Sequence, residues 1–163
     1  MIFSILAFIA VSLSVCIKDR KKSLCVQSLS CIFESLYAFT ISAFTGAVLG
    51  IINFIRSCLF INKDKFNKKF YLLLLIIFEL LVVTNCIFTY EGVISLLPTV
   101  GSVIRTYCLW QSKMNFVRIS GIATGVLFGT YYIYHQGWFM VRGYTVILIV
   151  SIISVYKNDI KRV

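Results

Sequence analysis

The sequence predicts an all-α integral membrane bundle of seven transmembrane helices, and three observations predict it. Of 163 residues, 60% are hydrophobic and only 13% charged, with a mean hydropathy of +0.93, whereas a water-soluble domain of this size needs far more polar surface. The apolar residues fall into seven runs, each near the roughly 20 residues that a membrane helix requires. Lys and Arg collect in every second connection between those runs, as they do in loops facing the cytoplasm.

The first run covers 1–17 and ends at KDRKK, residues 18–22. The second and third, about 23–42 and 43–62, are joined by a tight ISAFTG link. A basic loop, KDKFNKK, leads into a fourth run at 70–89. A turn at 89–92 opens the fifth run, which reaches Gln111; the sixth covers about 116–134 and the seventh 137–156. A single proline and nine glycines suit long helices with short connections.

Charge fixes the expected orientation. Lys18, Arg20, Lys21 and Lys22 follow run one; Lys63, Lys65, Lys68 and Lys69 follow run three. Lys113 and Arg118 flank the gap after run five, and Lys157, Lys161 and Arg162 follow run seven. The alternate connections carry no Lys or Arg, with Arg142 a little way into run seven. The N-terminus is therefore expected outside and the C-terminus in the cytoplasm. The first run is not read as a cleavable signal, because its charges follow the apolar stretch instead of preceding it. Leu13-Ser-Val-Cys16 loosely follows a lipoprotein cleavage pattern, but Val before the Cys fits that poorly.

A shift of 94 residues lays runs one to three on runs five to seven without a gap, placing Ser4 on Pro98, Tyr37 on Tyr131 and Ser57 on Ser151. Spacing and hydropathy repeat; side-chain identity does not. Two directly repeated three-helix units need one more helix between them to keep the same orientation in a membrane. The expected plan is thus three-plus-one-plus-three within one transmembrane domain, 1–163: repeat one 1–62, linker helix 70–89, repeat two 92–156. Transporters often place their sites between such repeats.

Four ionisable residues fall well inside apolar runs: Glu34, Arg56, Glu79 and Arg105. Each costs on the order of 2.5–3.5 kcal/mol at a helix centre on insertion scales, so each needs a partner or a purpose. Glu34 is expected to pair with Arg56 or Arg105. Together with Asn53, these three residues are the expected polar lining of a solute site. Glu79 is read as structural. Gln27, Asn53 and Asn85 suit hydrogen bonding between helices. Gly121, Gly125 and Gly129 share one face of run six and should let a neighbouring helix approach closely; their counterparts at the 94-residue offset are Gln27, Cys31 and Ser35. Pro98 is a hinge or, equally, a first-turn proline. His135, within the aromatic stretch 131–138, is read with the aromatic belt at a membrane surface.

Several classes are set aside. The net charge of +10 sits in clusters between apolar runs, not along a nucleic-acid-binding face. The six cysteines, Cys16, Cys25, Cys31, Cys58, Cys86 and Cys108, show neither metal-ligand nor disulfide spacing. With one histidine, no phosphate-cradling loop and no nucleophile beside a base, no enzyme, metal or cofactor is expected. The expected partners are the lipid bilayer and a small polar solute, and a chain this small is compatible with a homodimer.

The basic loop running into Leu24-Cys-Val-Gln27, Ala43-Phe-Thr-Gly-Ala47 with Arg56, Ser95-Leu-Leu-Pro98, and Arg118 in NFVRISG resemble the YgjV-type family of bacterial inner-membrane proteins over nearly the whole chain. That resemblance implies the bacterial inner membrane and a kinship with small-solute carriers. The seven-run plan is more distantly similar to the SWEET sugar transporters and their PQ-loop relatives. Two departures argue against a sugar cargo: Pro98 is matched by Ser4, and Asn53 by Ile147, so no paired asparagines face each other. The function expected is movement of a small polar metabolite. The alternative is a non-transporting membrane scaffold or assembly partner whose charges only hold helices together.

Overall fold

The computed structural model describes residues 2–17, 19–62, 66–90, 92–111 and 114–156. Of the basic residues that set the expected orientation, Lys18, Lys63, Lys65, Lys113, Lys157, Lys161 and Arg162 lie outside the described residues. Those described form seven α-helices: α1 Ile2–Cys16, α2 Arg20–Thr40, α3 Phe44–Ile61, α4 Lys68–Phe88, α5 Leu96–Gln111, α6 Met114–Tyr134 and α7 Trp138–Val155. One 3-10 turn, Val93–Ser95, leads into α5.

Five of the helical segments are long and apolar enough to cross a bilayer: Phe44–Ile61, Lys68–Phe88, Val93–Gln111, Asn115–Tyr134 and Trp138–Val155. The other two helices fall short for physical reasons. α1 has 15 residues. α2 is long enough but is diluted by Ser23, Gln27, Ser28, Ser30, Glu34 and Ser35, and all six of these are buried. Its apolar residues Leu29, Ile32, Leu36 and Phe39 face outward. A helix with its polar side in and its leucines out is suited to lipid, where an apolar exterior costs nothing and a polar one does. The rest of the surface agrees, with Leu80, Ile87, Phe88, Val126 and Ile153 among many exposed apolar side chains.

α2 packs on α1 and α3, α6 packs on α5 and α7, α1 meets α7, α5 meets α3, and α4 lies on α3 and α5. The bounds of α2 and α6 differ by 94 residues at both ends, as do those of α3 and α7. Their turns match as well. Ser42 and Gln136 both take positive φ, at 55° and 56°. Behind α2, the Ala43 N–H donates to the Ala38 carbonyl and the Ser42 N–H to that of Phe39; behind α6, Gly137 donates to Tyr132 and Gln136 to Ile133. This is the Schellman pattern, in which one left-handed residue lets the last carbonyls of a helix find donors. The Asp19 side chain caps the other end of α2 by accepting from the Lys21 and Lys22 N–H groups at 2.8 and 3.3 Å.

The expected close approach at Gly121 and Gly125 is present: a Cβ at Gly121 would meet the Ser151 side chain, and one at Gly125 would lie 3.0 Å from Leu148 Cβ. At Gly129 it would meet Tyr144 at an ordinary 3.8 Å. On the other side of the bundle Gly50 does the corresponding work, with Ser35 Cβ 2.7 Å away and the Cys31 carbonyl 3.0 Å away. Pro98 is the third residue of α5. There, in the first turn, its missing N–H leaves no gap in the hydrogen-bond ladder.

Two apolar clusters sit towards opposite ends. Leu24, Phe60, Tyr71, Leu74, Phe78 and Leu109 pack at the end with the basic connections. Tyr37, Ala43, Tyr131, Tyr132 and Met140 pack at the other. Gly50→Ala is expected to lower stability by about 1–3 kcal/mol, because the α2 backbone cannot yield to an added methyl. Gly129→Ala should leave it unchanged or raise it slightly. Thermal unfolding of the two variants in detergent checks the contrast.

Candidate functional site

Between those two apolar clusters, five helices surround a polar cavity. Its lining includes Gln27, Ser30, Cys31 and Glu34 from α2, Asn53 and Arg56 from α3, Arg105 from α5, Thr124 and Phe128 from α6, and Tyr144 and Ile147 from α7. The four residues expected to line a solute site, Glu34, Asn53, Arg56 and Arg105, thus lie around one space. That space offers about 40 Å³ to the centre of a water molecule, several times the roughly 10–15 Å³ that one water needs.

Glu34 is 7% exposed and, among the described residues, forms no ion pair with an arginine. Its Oε1 accepts hydrogen bonds from two tyrosines, Tyr132 at 3.1 Å and Tyr144. The expected Glu–Arg pair is corrected accordingly. A phenol hydroxyl satisfies a buried carboxylate without bringing in a second charge that must itself be stripped of water. The two phenols are held by stacking: the rings of Tyr132 and Tyr144 lie 5.8 Å apart at 18°, and Phe128 stacks on Tyr144 at 5.4 Å and 24°.

The arginines are held by hydroxyls. Arg56, 1% exposed, donates through Nη1 to Thr106 Oγ1 at 2.6 Å. Thr106 in turn donates to the Ser102 carbonyl at 2.7 Å. The Nε and Nη2 of Arg56 are buried with no hydrogen-bond partner, as is Oδ1 of Asn53. Asn53 Nδ2 reaches Ser102 Oγ at 3.4 Å, and Arg105 Nη1 reaches Thr124 Oγ1 at 3.4 Å. Glu79, half-buried on α4, does not line the cavity.

A second, smaller cavity shares Gln27 and Arg105 with the first and is otherwise lined by Ser14, Ser23, Val117, Arg118, Gly121 and Ser151. These residues lie near the end of the bundle that carries the basic connections. Towards the opposite end the bundle is filled by Tyr37, Tyr131, Tyr132 and Met140. Tyr131 and Tyr132 are fully buried, so the aromatic-belt reading fits only the exposed Tyr134 and Trp138 of that stretch. His135 packs against Tyr131 with the rings tilted by 55° and their centres 4.6 Å apart.

Tyr132, Tyr144, Ser102 and Thr106 were not singled out from the sequence. One signal was available: Tyr132 continues the Gly121–Gly125–Phe128 stripe at helical spacing, the face on which α6 meets its neighbours. Among the described residues, no three His, Cys, Asp or Glu side chains gather in one place. A guest in the cavity would meet guanidinium, amide, hydroxyl and carboxylate groups.

The family model Imp-YgjV, described as bacterial inner membrane protein, matches residues 1–161. The chain belongs to this family. No curated protein and no solved structure matches it. The Imp-YgjV description names a location, and the apolar exterior of the bundle accords with it.

Tyr144→Phe is expected to destabilise the protein by about 1–3 kcal/mol, because it removes a donor from a buried carboxylate. Against a Glu34→Gln background the same change should cost less. A double-mutant cycle of unfolding in detergent should give a coupling on the order of 1 kcal/mol.

Proposed function

We propose that this Imp-YgjV protein is a carrier for a small polar metabolite, with its site in the cavity bounded by α2 and α3 on one side and α5, α6 and α7 on the other. The observation that carries the reading is the gathering of Glu34, Asn53, Arg56 and Arg105 around one space, with donors of Arg56 and an acceptor of Asn53 left without partners. Buried charges in a membrane bundle are costly, and each is a functional-site hypothesis by default.

The three-plus-one-plus-three plan belongs to the same proposal. It is supported by the 94-residue offset between the bounds of α2 and α6 and of α3 and α7, and by the paired turns at Ser42 and Gln136. Repeats related in this way move by rocking about a site between them. The second cavity is then the route towards the cytoplasm, if the basic connections face that side. The tyrosine cluster is the closed gate on the other side.

A second reading has one observation in its favour. Glu34 ties α2 to both α6 and α7 through two tyrosines, as a clamp in a non-transporting scaffold would. Cys31 lines the cavity and separates the two readings without any knowledge of the solute. In a variant with every other cysteine replaced by alanine, a carrier exposes Cys31 to each side of the membrane in turn. A membrane-impermeant maleimide should then label it in both right-side-out and inside-out vesicles. Labelling from one face alone would sink alternating access and leave the scaffold reading.

A further inference from the structure

We propose that the solute is a small monocarboxylate, held by the Nε–Nη2 edge of Arg56; the inference rests on reading this cavity as a solute site. The Nη1 of Arg56 is committed to Thr106, while Nε and Nη2 are buried and unpartnered. Those two nitrogens form one side of the guanidinium and present two parallel N–H groups. That spacing matches the two oxygens of a carboxylate, which such an edge binds in bidentate fashion. Asn53, three residues earlier on α3, lines the same space; its unpartnered Oδ1 only accepts, so it suits a hydroxyl carried by the guest, as in glycolate, and not the carboxylate itself.

Charge points the same way. The cavity lining holds two guanidinium groups against one carboxylate. The Oε1 of that carboxylate, Glu34, already receives two phenol hydroxyls. Glu79 is on α4 and outside the lining. A guest with a single negative charge balances the lining, whereas a cation adds to its excess and a neutral sugar brings the Arg56 edge no charge of its own. The way in is basic as well, since Arg105 borders both cavities and Arg118 borders the second. A funnel of one sign raises the local concentration of anions. Size sets the limit: about 40 Å³ of water-centre space accommodates about three water-sized groups, a carboxylate carrying few further atoms.

The test is thermal unfolding of the full chain in detergent, titrated with sodium formate, acetate and glycolate at ionic strength held constant with chloride, beside arms of sodium sulfate, glycine and glycerol. A saturable rise of about 5–10 °C is expected when the bound carboxylate is at about a hundred times its dissociation constant. The other arms should produce no saturable rise. Arg56→Lys keeps the charge and loses the fork, so its half-saturating concentration should increase at least tenfold. Should that variant fail to fold, the wild-type titrations decide alone. Equal shifts with sulfate would mean screening of the basic surface and overturn the inference. Stabilisation by glycerol or glycine but not by carboxylates would overturn it while leaving a carrier of another solute. No response to any compound would also overturn it. Saturable carboxylate binding together with Cys31 labelling from one face only would keep the site and sink transport.

Discussion

Everything in this bundle depends on where its polar groups can go. Lipid chains are as apolar as leucine, so hiding leucine from them gains nothing. A polar or charged group left facing them costs several kcal/mol. α2 obeys that constraint most visibly, with serines, Gln27 and Glu34 inside and Leu29, Ile32, Leu36 and Phe39 outside. Once α2 turns its polar face inward, α3 must approach it closely, which Gly50 permits. The Ser35 hydroxyl then crosses to the Ala47 carbonyl at 2.7 Å. Some hydroxyls are satisfied within their own helices, as with Ser57 on Asn53 and Thr124 on Ser120, while Ser23 crosses to the Ser14 carbonyl and Thr45 to that of Thr89, each at 2.6 Å.

The same constraint separates the charges. An ion pair inside the membrane must strip water from two ions, and the attraction does not always recover that cost. Here Glu34 takes phenols and Arg56 takes a threonine, so a carboxylate and two guanidinium groups stand around a space without closing on one another. Had they closed, the interior would be fully satisfied and chemically inert. The tyrosines that make the separation possible also belong to the packed cluster on one side of the cavity, joining electrostatics to shape.

The helices were legible in the sequence because hydropathy and loop charge are strong, local signals. The third and seventh apolar runs, about 43–62 and 137–156, became Phe44–Ile61 and Trp138–Val155. The gathering of Glu34, Asn53, Arg56 and Arg105 was legible for a related reason: an ionisable or amide group within an apolar run has nowhere to go but inward. Their partners were not. Tyr132 and Tyr144 lie 98 and 110 residues from Glu34, and tyrosine suits a membrane surface as well as an interior. Tyr131 and Tyr132 are buried while Tyr134, two residues on, is exposed; composition alone does not distinguish them. The Thr106 hydroxyl, bonded to its own helix, shows in sequence no sign that it also receives Arg56.

The 94-residue correspondence reaches into the cavity wall, where Ser30 and Thr124, Glu34 and Phe128, and Asn53 and Ile147 occupy paired places. The first pair keeps a hydroxyl on each side; the other two set a carboxylate against a ring and an amide against an aliphatic chain. A chamber with two matching sides would hold any guest in two equivalent poses, each occupied half the time. This chamber carries its carboxylate, its amide and Arg56 on α2 and α3, and faces them with Arg105, Thr124, Phe128, Tyr144 and Ile147. Under the proposed carrier reading, a guest so held would have one way round, and rocking of one side against the other would carry it with α2 and α3.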